Sequence, residues 1–392
     1  MSSIIAPGLL EHLAGLEEAV AELANTWHPE DPRYRADIYR QTLMSLSYSY
    51  FAYFHATPEY PDWAPLWNPV YTLQPNPDDL YLYSPLRGDL RYRVSGNRGT
   101  VKILNFTTQR YMSGMVENIS QIGCHNEIDD QDIRFQPNGD FELLFSAERP
   151  AGYAGNWAPM HPEATGMMVR LRSYDWENEI DPTLSIECLA PVAPKPRLTP
   201  DEIMARIREM AKFPVRKTRS YFRMQNGVKQ RVGFNVFEPL RMKGALAKQV
   251  YWPACFQLED DEALIITAEL PRIRPYWNIQ LNDPYFNALE YVYRLSSLNG
   301  HTARVSSDGK FRAVIALEDP GVPNWLDPAG YNEGGIYGRW YNCDTHPTPT
   351  IERVPLSELR RHLPDDTPVV TPAERAEELR RRVRACQRRR RW

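Results

Sequence analysis

The chain has 392 residues, a formal net charge of -4 at pH 7, 11% aromatic residues and 34 prolines. This length exceeds what one ordinary hydrophobic core supports, so we expect two domains with additional elements. The small net charge argues against nucleic-acid and membrane partners, and the aromatic and proline content predicts a strand-rich, loop-rich body.

Residues 1–74 predict a helical cap. Leucine and valine recur at three- to four-residue spacing from Leu9 to Leu23, and a second helix is predicted from about Arg33 to His55. Glutamates among the first leucines argue against a secretory signal, and the sequence lacks an apolar stretch long enough to span a membrane. The five cysteines are far apart and form no CxxC motif, so we expect a protein of the reducing cytoplasm.

From residue 79 the hydrophobic period changes to two, which predicts a first β domain over 75–192. Strands are expected at 128–135, 141–147, 167–174 and 184–189. Residues 193–249 predict a proline linker, a short helix at 201–212 and a basic connector with ten Lys or Arg residues in 212–248. That connector is either solvated or a surface for an anionic partner.

A repeat relates two stretches about 170 residues apart. It predicts duplication of a domain, with the second copy at 250–356, and hence two tandem related domains of the β-sandwich or jelly-roll kind. Residues 357–392 predict a helical, arginine-rich tail that is solvated or contacts another subunit. The matched positions are Gly139 with Gly309, Phe141 with Phe311, Trp157 with Trp325, Arg170 with Arg339, and Asp175 with Asp344.

Several segments resemble a bacterial family known as domain of unknown function 1214, which often accompanies the related domain of unknown function 1254. They are NPDDLYLYSP, YWNIQL, SDGKF, and PNWLDP followed by a strand ending in GRWYN. The resemblance is clearest over 264–344 and looser over 75–175. It implies paired β-sandwich-like domains with peripheral helices, often in oligomers, and no particular activity. The chain departs from the family at LSSLNGHTA, where an Asn-Ser-Arg-like turn is usual.

Motifs for nucleotides, phosphates, activated serines and HExxH zinc sites are all missing from the sequence. We therefore expect no cofactor and no metal, and redox-neutral chemistry if the protein is an enzyme.

The duplicated arginines are candidate ligand-binding residues. Arg170 with Asp175 and Arg339 with Asp344 could clamp an anion across a cleft, because a guanidinium holds carboxylates and phosphates bidentately. Alternatively, each pair is an ion pair that fixes a strand to a loop.

The duplicated tryptophans have two similar interpretations. Trp157 and Trp325 could stack on a ligand ring, or they could fill the end of each sandwich.

Residues present in one copy only are the better catalytic candidates. Alternation places Asp79, Tyr81 and Tyr83 on one strand face, although NPDD also predicts an Asx-type turn.

His125 and Glu127 are two residues apart, which predicts that both side chains lie on the same face of a strand. His161 lies near Trp157, in the first copy of the repeat. Two histidines and a carboxylate suit either a metal ion or acid/base work, and a cupin-like metal centre would need a third strand ligand that the pattern does not place. We therefore expect Asp79, Tyr81, His125 and Glu127 as catalytic residues, and Tyr83 and His161 in contact with the substrate.

Two functions follow from these patterns. The first is a cofactor-independent lyase, hydrolase or isomerase acting on a small, partly apolar or aromatic molecule in an interdomain cleft. The second is a non-catalytic ligand-binding or assembly protein. In both cases we expect a small-molecule ligand, a homo-oligomer, and no nucleic-acid or membrane partner.

Overall fold

The structure, a computed structural model, describes residues 9–26, 31–117, 121–190, 194–241 and 246–389. Its described strands form four sheets, two in each half of the chain. The predicted fold class is confirmed: the protein is mainly β, with two related sandwich domains and peripheral helices.

The strands of the first half form a five-stranded sheet, ordered β1-β2-β8-β4-β5, and a four-stranded sheet, ordered β7-β6-β3-β9. Their bounds are β1 Ala64–Leu66, β2 Asp79–Pro85, β3 Tyr92–Asn97, β4 Ile103–Gln109, β5 Cys124–Asp129, β6 Asp140–Ser146, β7 Asn156–Pro159, β8 Gly166–Arg172 and β9 Thr183–Cys188.

The strands of the second half form two four-stranded sheets, ordered β10-β16-β12-β13 and β15-β14-β11-β17. Their bounds are β10 Gln249–Gln257, β11 Glu262–Ala268, β12 Tyr276–Asn282, β13 Ser297–Asn299, β14 Phe311–Ile315, β15 Trp325–Leu326, β16 Glu333–Tyr341 and β17 Thr350–Pro355.

The two halves have the same topology. Counting from β2 in the first and from β10 in the second, corresponding strands occupy corresponding places in both sheets, and β1 is an addition at one edge. The parallel pairing of β6 with β7 is also repeated in β14 with β15. The strand order therefore shows the same duplication as the sequence repeat.

Each domain has its own apolar core between its two sheets. In the first domain Phe106, Phe145 and Val169 lie in this core. In the second, Trp252 and Trp340 lie in the equivalent core, with ring centroids 5.3 Å apart. The other faces of the β8 sheet and the β16 sheet are turned towards each other and carry mostly polar side chains, which defines the interdomain surface.

Peripheral helices contact strands of both domains. The N-terminal helices are α1 (Leu9–Leu13), α2 (Gly15–Thr26) and α3 (Pro32–Phe54), and α2 and α3 pack against α4 (Pro200–Val232). The expectation of a short helix at 201–212 is wrong: α4 has 33 residues and continues through Pro214. Its start lies within one residue of the prediction: Pro200 begins the helix, and the Thr199 side chain caps it by accepting a hydrogen bond from the Glu202 amide.

The basic connector is largely part of α4, and its charges are matched by acids of the same chain. Arg219 contacts Glu18 and Glu22 of α2, and Arg231 pairs with Glu238 at 2.6 Å. The contacts of these two arginines support neither a freely solvated connector nor a surface reserved for an outside anion.

The C-terminal helix α5 (Pro372–Arg389) packs on its own chain, so the expectation of a solvated or subunit-contacting tail is wrong for its buried face. Arg375, Arg382 and Arg389 recur every seven residues and contact the body of the protein. Arg389 donates to the carbonyls of Asp78 and Leu171, so the helix end contacts β8 and the residue that precedes β2.

A candidate anion site between the two domains

The interdomain surface of the first domain centres on β8. Arg170 and Arg172 alternate along this strand with Val169 and Leu171, which belong to the domain core. Because side chains on a strand point alternately to opposite faces, both guanidinium groups lie on the face opposite the core. Arg339 occupies the same position on β16 of the second domain.

Arg170 is held by neighbours on the strands beside it. Its Nη1 donates to Thr107 Oγ1 at 2.6 Å and to Asn105 Oδ1 at 3.4 Å, and both acceptors lie on β4. The guanidinium carbon lies 5.9 Å from the centre of the Tyr81 ring on β2. These contacts fix the guanidinium without neutralising its charge.

Arg339 repeats this arrangement in the second domain. Its Nη1 donates to Gln280 Oε1 at 2.7 Å and to Asn278 Oδ1 at 3.3 Å on β12, and its carbon lies 5.4 Å from the Tyr251 ring on β10. In addition, Nη2 donates to Gln74 Oε1 at 3.1 Å. The duplication has therefore placed two equivalent tyrosine–arginine–asparagine sets on facing sheets.

The third arginine of the surface has a different role. Arg172 and Asp79 form a bidentate ion pair with distances of 2.6 Å and 2.8 Å, and their side chains are 2% and 0% exposed. Burial alone would raise the pKa of Asp79, but the charge and hydrogen bonds of Arg172 outweigh it, so the pKa lies below its usual value. The Asp79 carboxylate is therefore ionised, and both of its oxygens already accept hydrogen bonds from Arg172.

Arg170 and Arg339 form no ion pair with a carboxylate within the part of the chain that the structure describes. Both are buried, at 8% and 3% exposure. A buried charge is costly unless it is paired or reaches solvent or a ligand, so two such cations on one surface require a compensating partner.

Both arginines line a cavity of about 120 Å³. For scale, an apolar cavity of about 150 Å³ accommodates a benzene molecule. Aromatic and aliphatic side chains share the wall with polar ones. The lining residues are Trp67, Leu73, Gln74, Tyr81, Gln109, Tyr111, Met112, Ser113, Ile122, Gly123, Met168, Arg170, Arg172, Gln249, Tyr251 and Arg339.

Two further hydrogen-bond donors belong to this wall. Trp67 Nε1 and Gln109 Nε2 are buried and have no hydrogen-bond partner among the described residues. Buried donors are nearly always paired in folded proteins. Together with the two guanidinium groups they make the wall rich in donors, and none of the described residues that line the cavity has a carboxylate side chain.

The segment that carries Trp67 has an unusual backbone. Trp67, Tyr71, Leu73 and Gln74 all have positive φ, at 56°, 56°, 64° and 46°. Non-glycine residues adopt this region at a cost, and such residues cluster at functional sites. Since three of the four also line the cavity, this local strain shapes the cavity wall.

Of the predicted site residues, Asp79, Tyr81, Arg170 and Arg339 meet at this surface. Burial raises the pKa of Tyr81, so its hydroxyl is protonated at neutral pH; it accepts a hydrogen bond from the Asn76 amide at 3.2 Å. The Asx-type turn is confirmed too, since the Asn76 side chain accepts from the Asp78 amide at 3.1 Å.

The remaining aromatic candidates lie outside the cavity wall. Tyr83 packs with Met112 and Phe213 in an apolar cluster that adjoins the cavity through Met112, but Tyr83 itself does not line it. Trp157 on β7 donates to Ser146 Oγ at 2.9 Å, and Trp325 on β15 donates to the Ala316 carbonyl at 2.9 Å. These contacts fix both indoles at the edges of their sheets.

His125 and Glu127 do not share one strand face, contrary to the expectation. The pairing of β5 with β4 shifts register and leaves His125 without an opposite residue. His125 stacks on His161, with ring centroids 4.0 Å apart, whereas Glu127 accepts a hydrogen bond from the Ala247 amide at 2.8 Å. Burial, the largest influence, raises the pKa of Glu127.

The proposed pairing of each duplicated arginine with its aspartate is also wrong. Asp175 accepts from the Asn178 side chain at 2.8 Å, and Asp344 accepts from the Ile273 amide at 3.0 Å. Strand β8 ends at Arg172, so Asp175 lies in the turn that follows and not beside Arg170.

Sequence reasoning missed several residues of this surface. Arg172 could have been found from its two-residue spacing to Arg170, which places both on one face. Asp78 is buried, which raises its pKa, and it accepts from Tyr276 at 2.6 Å and Asn299 at 2.7 Å across the domains. No sequence signal indicates that contact.

The family described as "Protein of unknown function (DUF1214)" matches residues 83–177. The predicted resemblance is thereby confirmed, although the match lies in the first domain and not at 264–344. It includes Arg170 and excludes Arg339.

An uncharacterized protein from Burkholderia cenocepacia, known from a crystal structure, is 27% identical to this chain. The similarity covers 89% of this chain and 99% of that one, with a TM-score of 0.82, so the whole architecture is shared. A second crystal structure, of a protein from Vibrio parahaemolyticus, is 12% identical, with 87% and 100% of the two chains covered and a TM-score of 0.45. No curated protein matches the chain.

Within the described part of the chain, no helix has both the length and the apolar character needed to cross a bilayer.

Proposed function

We propose that the protein binds a small organic anion, with a carboxylate or similar group and a partly apolar body, in the cavity between its two domains. One observation carries this proposal: Arg170 and Arg339 are buried, lack a carboxylate partner among the described residues, and line the same cavity. An anion placed between them supplies the missing charge and accepts their free N–H groups.

The rest of the wall supports the type of ligand. Trp67 and Gln109 add donors, which favour an acceptor-rich group. Met168, Leu73 and Ile122 offer apolar surface, which favours a hydrocarbon or aromatic body. The volume of about 120 Å³ suits a ligand near the size of a benzene ring and is too small for a nucleotide.

Isothermal titration with matched probes tests this proposal. Benzoate and isobutyrate should bind, whereas benzamide, which has nearly the shape of benzoate but no charge, should bind at least tenfold more weakly. Charged hydrogen bonds contribute about 1.5–3 kcal/mol, so Arg170→Lys and Arg339→Lys should each weaken binding by about tenfold to a hundredfold. Lysine keeps the charge and loses the planar fork.

Arg272→Lys is the matched control, because the Arg272 side chain is 89% exposed and its contact with Asp344 is long, at 3.9 Å. It should bind like the wild type. Equal affinity for benzoate and benzamide, or unchanged benzoate affinity in both cavity variants, would contradict the proposal. Circular dichroism on each variant separates loss of binding from loss of folding.

We also propose a catalytic version of this function, a cofactor-independent lyase, hydrolase or isomerase, on the strength of Tyr81. Tyr81 lines the cavity beside Arg170, where its protonated hydroxyl can donate a hydrogen bond to a bound anion and stabilise negative charge that builds up during the reaction. Asp79 is a poorer candidate because Arg172 occupies both of its oxygens. Tyr81→Phe should then abolish turnover of a ligand that it still binds; unchanged turnover would reject this version.

Two broader expectations stay proposals. The five cysteines are free, which supports a reducing compartment such as the cytoplasm. The second expectation is that the protein self-associates. We assign helix α3 to the contact between subunits, because its side chains Tyr39, Leu43 and Tyr50 are 64%, 58% and 56% exposed. Leu43→Glu with Tyr50→Glu should reduce the mass measured by light scattering, and a monomeric wild type would refute it.

A further inference from the structure

A second cluster of chemically active side chains lies outside the cavity. His125, His161 and Glu163 each offer one ligand atom, and these three atoms lie within 4.8 Å of one another. His125 comes from the edge strand β5, and the other two come from the turn between β7 and β8. We infer that this cluster binds a divalent transition-metal ion such as Zn²⁺.

The arrangement of the edge strand produces the cluster. The register shift in β5 leaves His125 unpaired in the ladder and turns its ring onto His161, at 4.0 Å between centroids and 3° between planes. The backbone turn from His161 to Ala164, closed by a bond of 2.9 Å, places Glu163 beside the same two rings. The local backbone therefore gathers three ligands from two separate elements.

An orphaned ring nitrogen points to a missing partner. His125 Nε2 is buried and has no hydrogen-bond partner among the described residues. A metal ion bonded there would give this nitrogen the partner it lacks, with imidazole as a preferred ligand of Zn²⁺. Two imidazoles and one carboxylate suit zinc, nickel or copper, and they suit magnesium and calcium poorly.

The geometry requires a small local rearrangement. Zinc–ligand bonds of about 2.0–2.2 Å place tetrahedral ligand atoms roughly 3.4 Å apart, so ligand atoms separated by up to 4.8 Å must close by about 1.5 Å at most. His161 and Glu163 are exposed and can make this movement. The parallel stack of the rings must open, because both nitrogens have to face one point.

One hydrogen bond must also change. The Glu163 amide donates to His161 Nδ1 at 3.1 Å, which places the proton of a neutral ring on Nε2. Coordination through Nε2 requires the proton on Nδ1, so metal binding exchanges this hydrogen bond for a metal–nitrogen bond. The tautomer of His161 is thus a signature that a purely structural histidine stack would not show.

Arg110 is the nearest competitor for the carboxylate. It pairs with Glu163 at 3.1 Å, and both side chains are at least one-third exposed, which makes this a weak surface pair. Removal of Arg110 frees Glu163 and removes a positive charge near the metal. Arg110→Ala should therefore tighten zinc binding, in contrast to the ligand variants.

Calorimetric titration of ZnCl₂ into untagged, chelator-treated protein tests the inference. We expect one zinc ion per chain, at least about tenfold weaker binding in His125→Ala and Glu163→Gln, and no binding of MgCl₂ at the same concentration. His301→Ala is the matched control, since the His301 side chain is half-exposed and pairs with Asp175 at 3.6 Å, outside the cluster. It should bind zinc like the wild type.

The histidine ring signals in ¹⁵N NMR spectra provide an independent readout in the unmodified protein. Zinc should move the His161 proton from Nε2 to Nδ1 and shift the His125 signals as the stack opens. The inference is overturned if zinc leaves these signals unchanged, or if His125→Ala and Glu163→Gln bind zinc as tightly as the wild type. Because the cavity is lined by other residues, benzoate binding should be unaffected by zinc.

Discussion

Replacement of Asp79 by asparagine should destabilise the protein at neutral pH by about 3–5 kcal/mol, because it leaves the Arg172 guanidinium buried without a counter-charge. The structure supports the upper part of this range. The pair is bidentate, at 2.6 Å and 2.8 Å, and both side chains are at most 2% exposed. The Gln249 side chain accepts one more Arg172 N–H at 3.2 Å but carries no charge to replace the aspartate.

The pH dependence has a defined sign. Since the pKa of Asp79 is lower in the folded protein than in the unfolded chain, its stabilising contribution is complete above the unfolded value of about 3.9 and is lost as the pH falls through the folded value. The wild type should therefore lose its advantage over Asp79→Asn only in strong acid. Between pH 5 and pH 8 the difference should stay constant.

Urea unfolding monitored by tryptophan fluorescence measures this difference. The double variant Asp79→Asn/Arg172→Met should recover much of the lost stability, because it removes the unpaired charge. Asp89→Asn is the matched control: its pair with Arg87 is exposed, at 52% and 67%, and should change stability by less than about 0.5 kcal/mol. A loss below about 1 kcal/mol in Asp79→Asn, or a double variant less stable than either single one, would refute the reasoning.

Other predictions concern two buried charges and one positioning residue. Burial lowers the pKa of Lys217 to about 7. Between about pH 7 and 10.5 the unfolded chain therefore binds more protons than the folded protein, so stability rises with pH over that range. Lys217→Met should raise the melting temperature at pH 6 and raise it by less at pH 10. Arg389→Met leaves the Asp181 carboxylate buried without its partner, which lies 3.3 Å away in the wild type. The variant should lose a few kcal/mol of stability, and limited proteolysis should cleave α5 faster than in the wild type. An unchanged cleavage rate would contradict this. Gln74→Ala removes a bond to Arg339 and should weaken benzoate binding by about tenfold with little change in melting temperature; unchanged affinity would show that Gln74 does not position the guanidinium.

The sequence was sufficient for the architecture because the relevant signals are local. The alternation around Arg170 and the repeated phrase at Arg339 depend on neighbouring residues, and they predicted two related strand domains. The predicted helix at 201–212 is too short, since α4 continues through Pro214 to Val232. A proline removes one helical hydrogen bond, and in this helix packing such as that of Phe213 against Tyr48, at 5.4 Å, outweighs this loss.

The site could be predicted only in part because its geometry is non-local. The repeat in the sequence is enough to propose Arg170 and Arg339 as ligand-binding residues. Whether the two side chains come together across the interdomain surface depends on how the two sheets pack against each other. The donors Trp67 and Gln109 carry no sequence signal at all. Asp175 was assigned to Arg170 on sequence distance, and the end of β8 at Arg172 shows why proximity along the chain was misleading.

The covalent linkage of two like halves frees the cavity from a constraint that identical subunits would impose. A site on the two-fold axis of a homodimer must present every group twice, so it favours ligands that look the same from both sides. Here Thr107 supports one guanidinium and Gln280 the other. Asp79 also has no acidic counterpart, since β10 has Gln249 at that place. The wall can therefore recognise a molecule with two different ends.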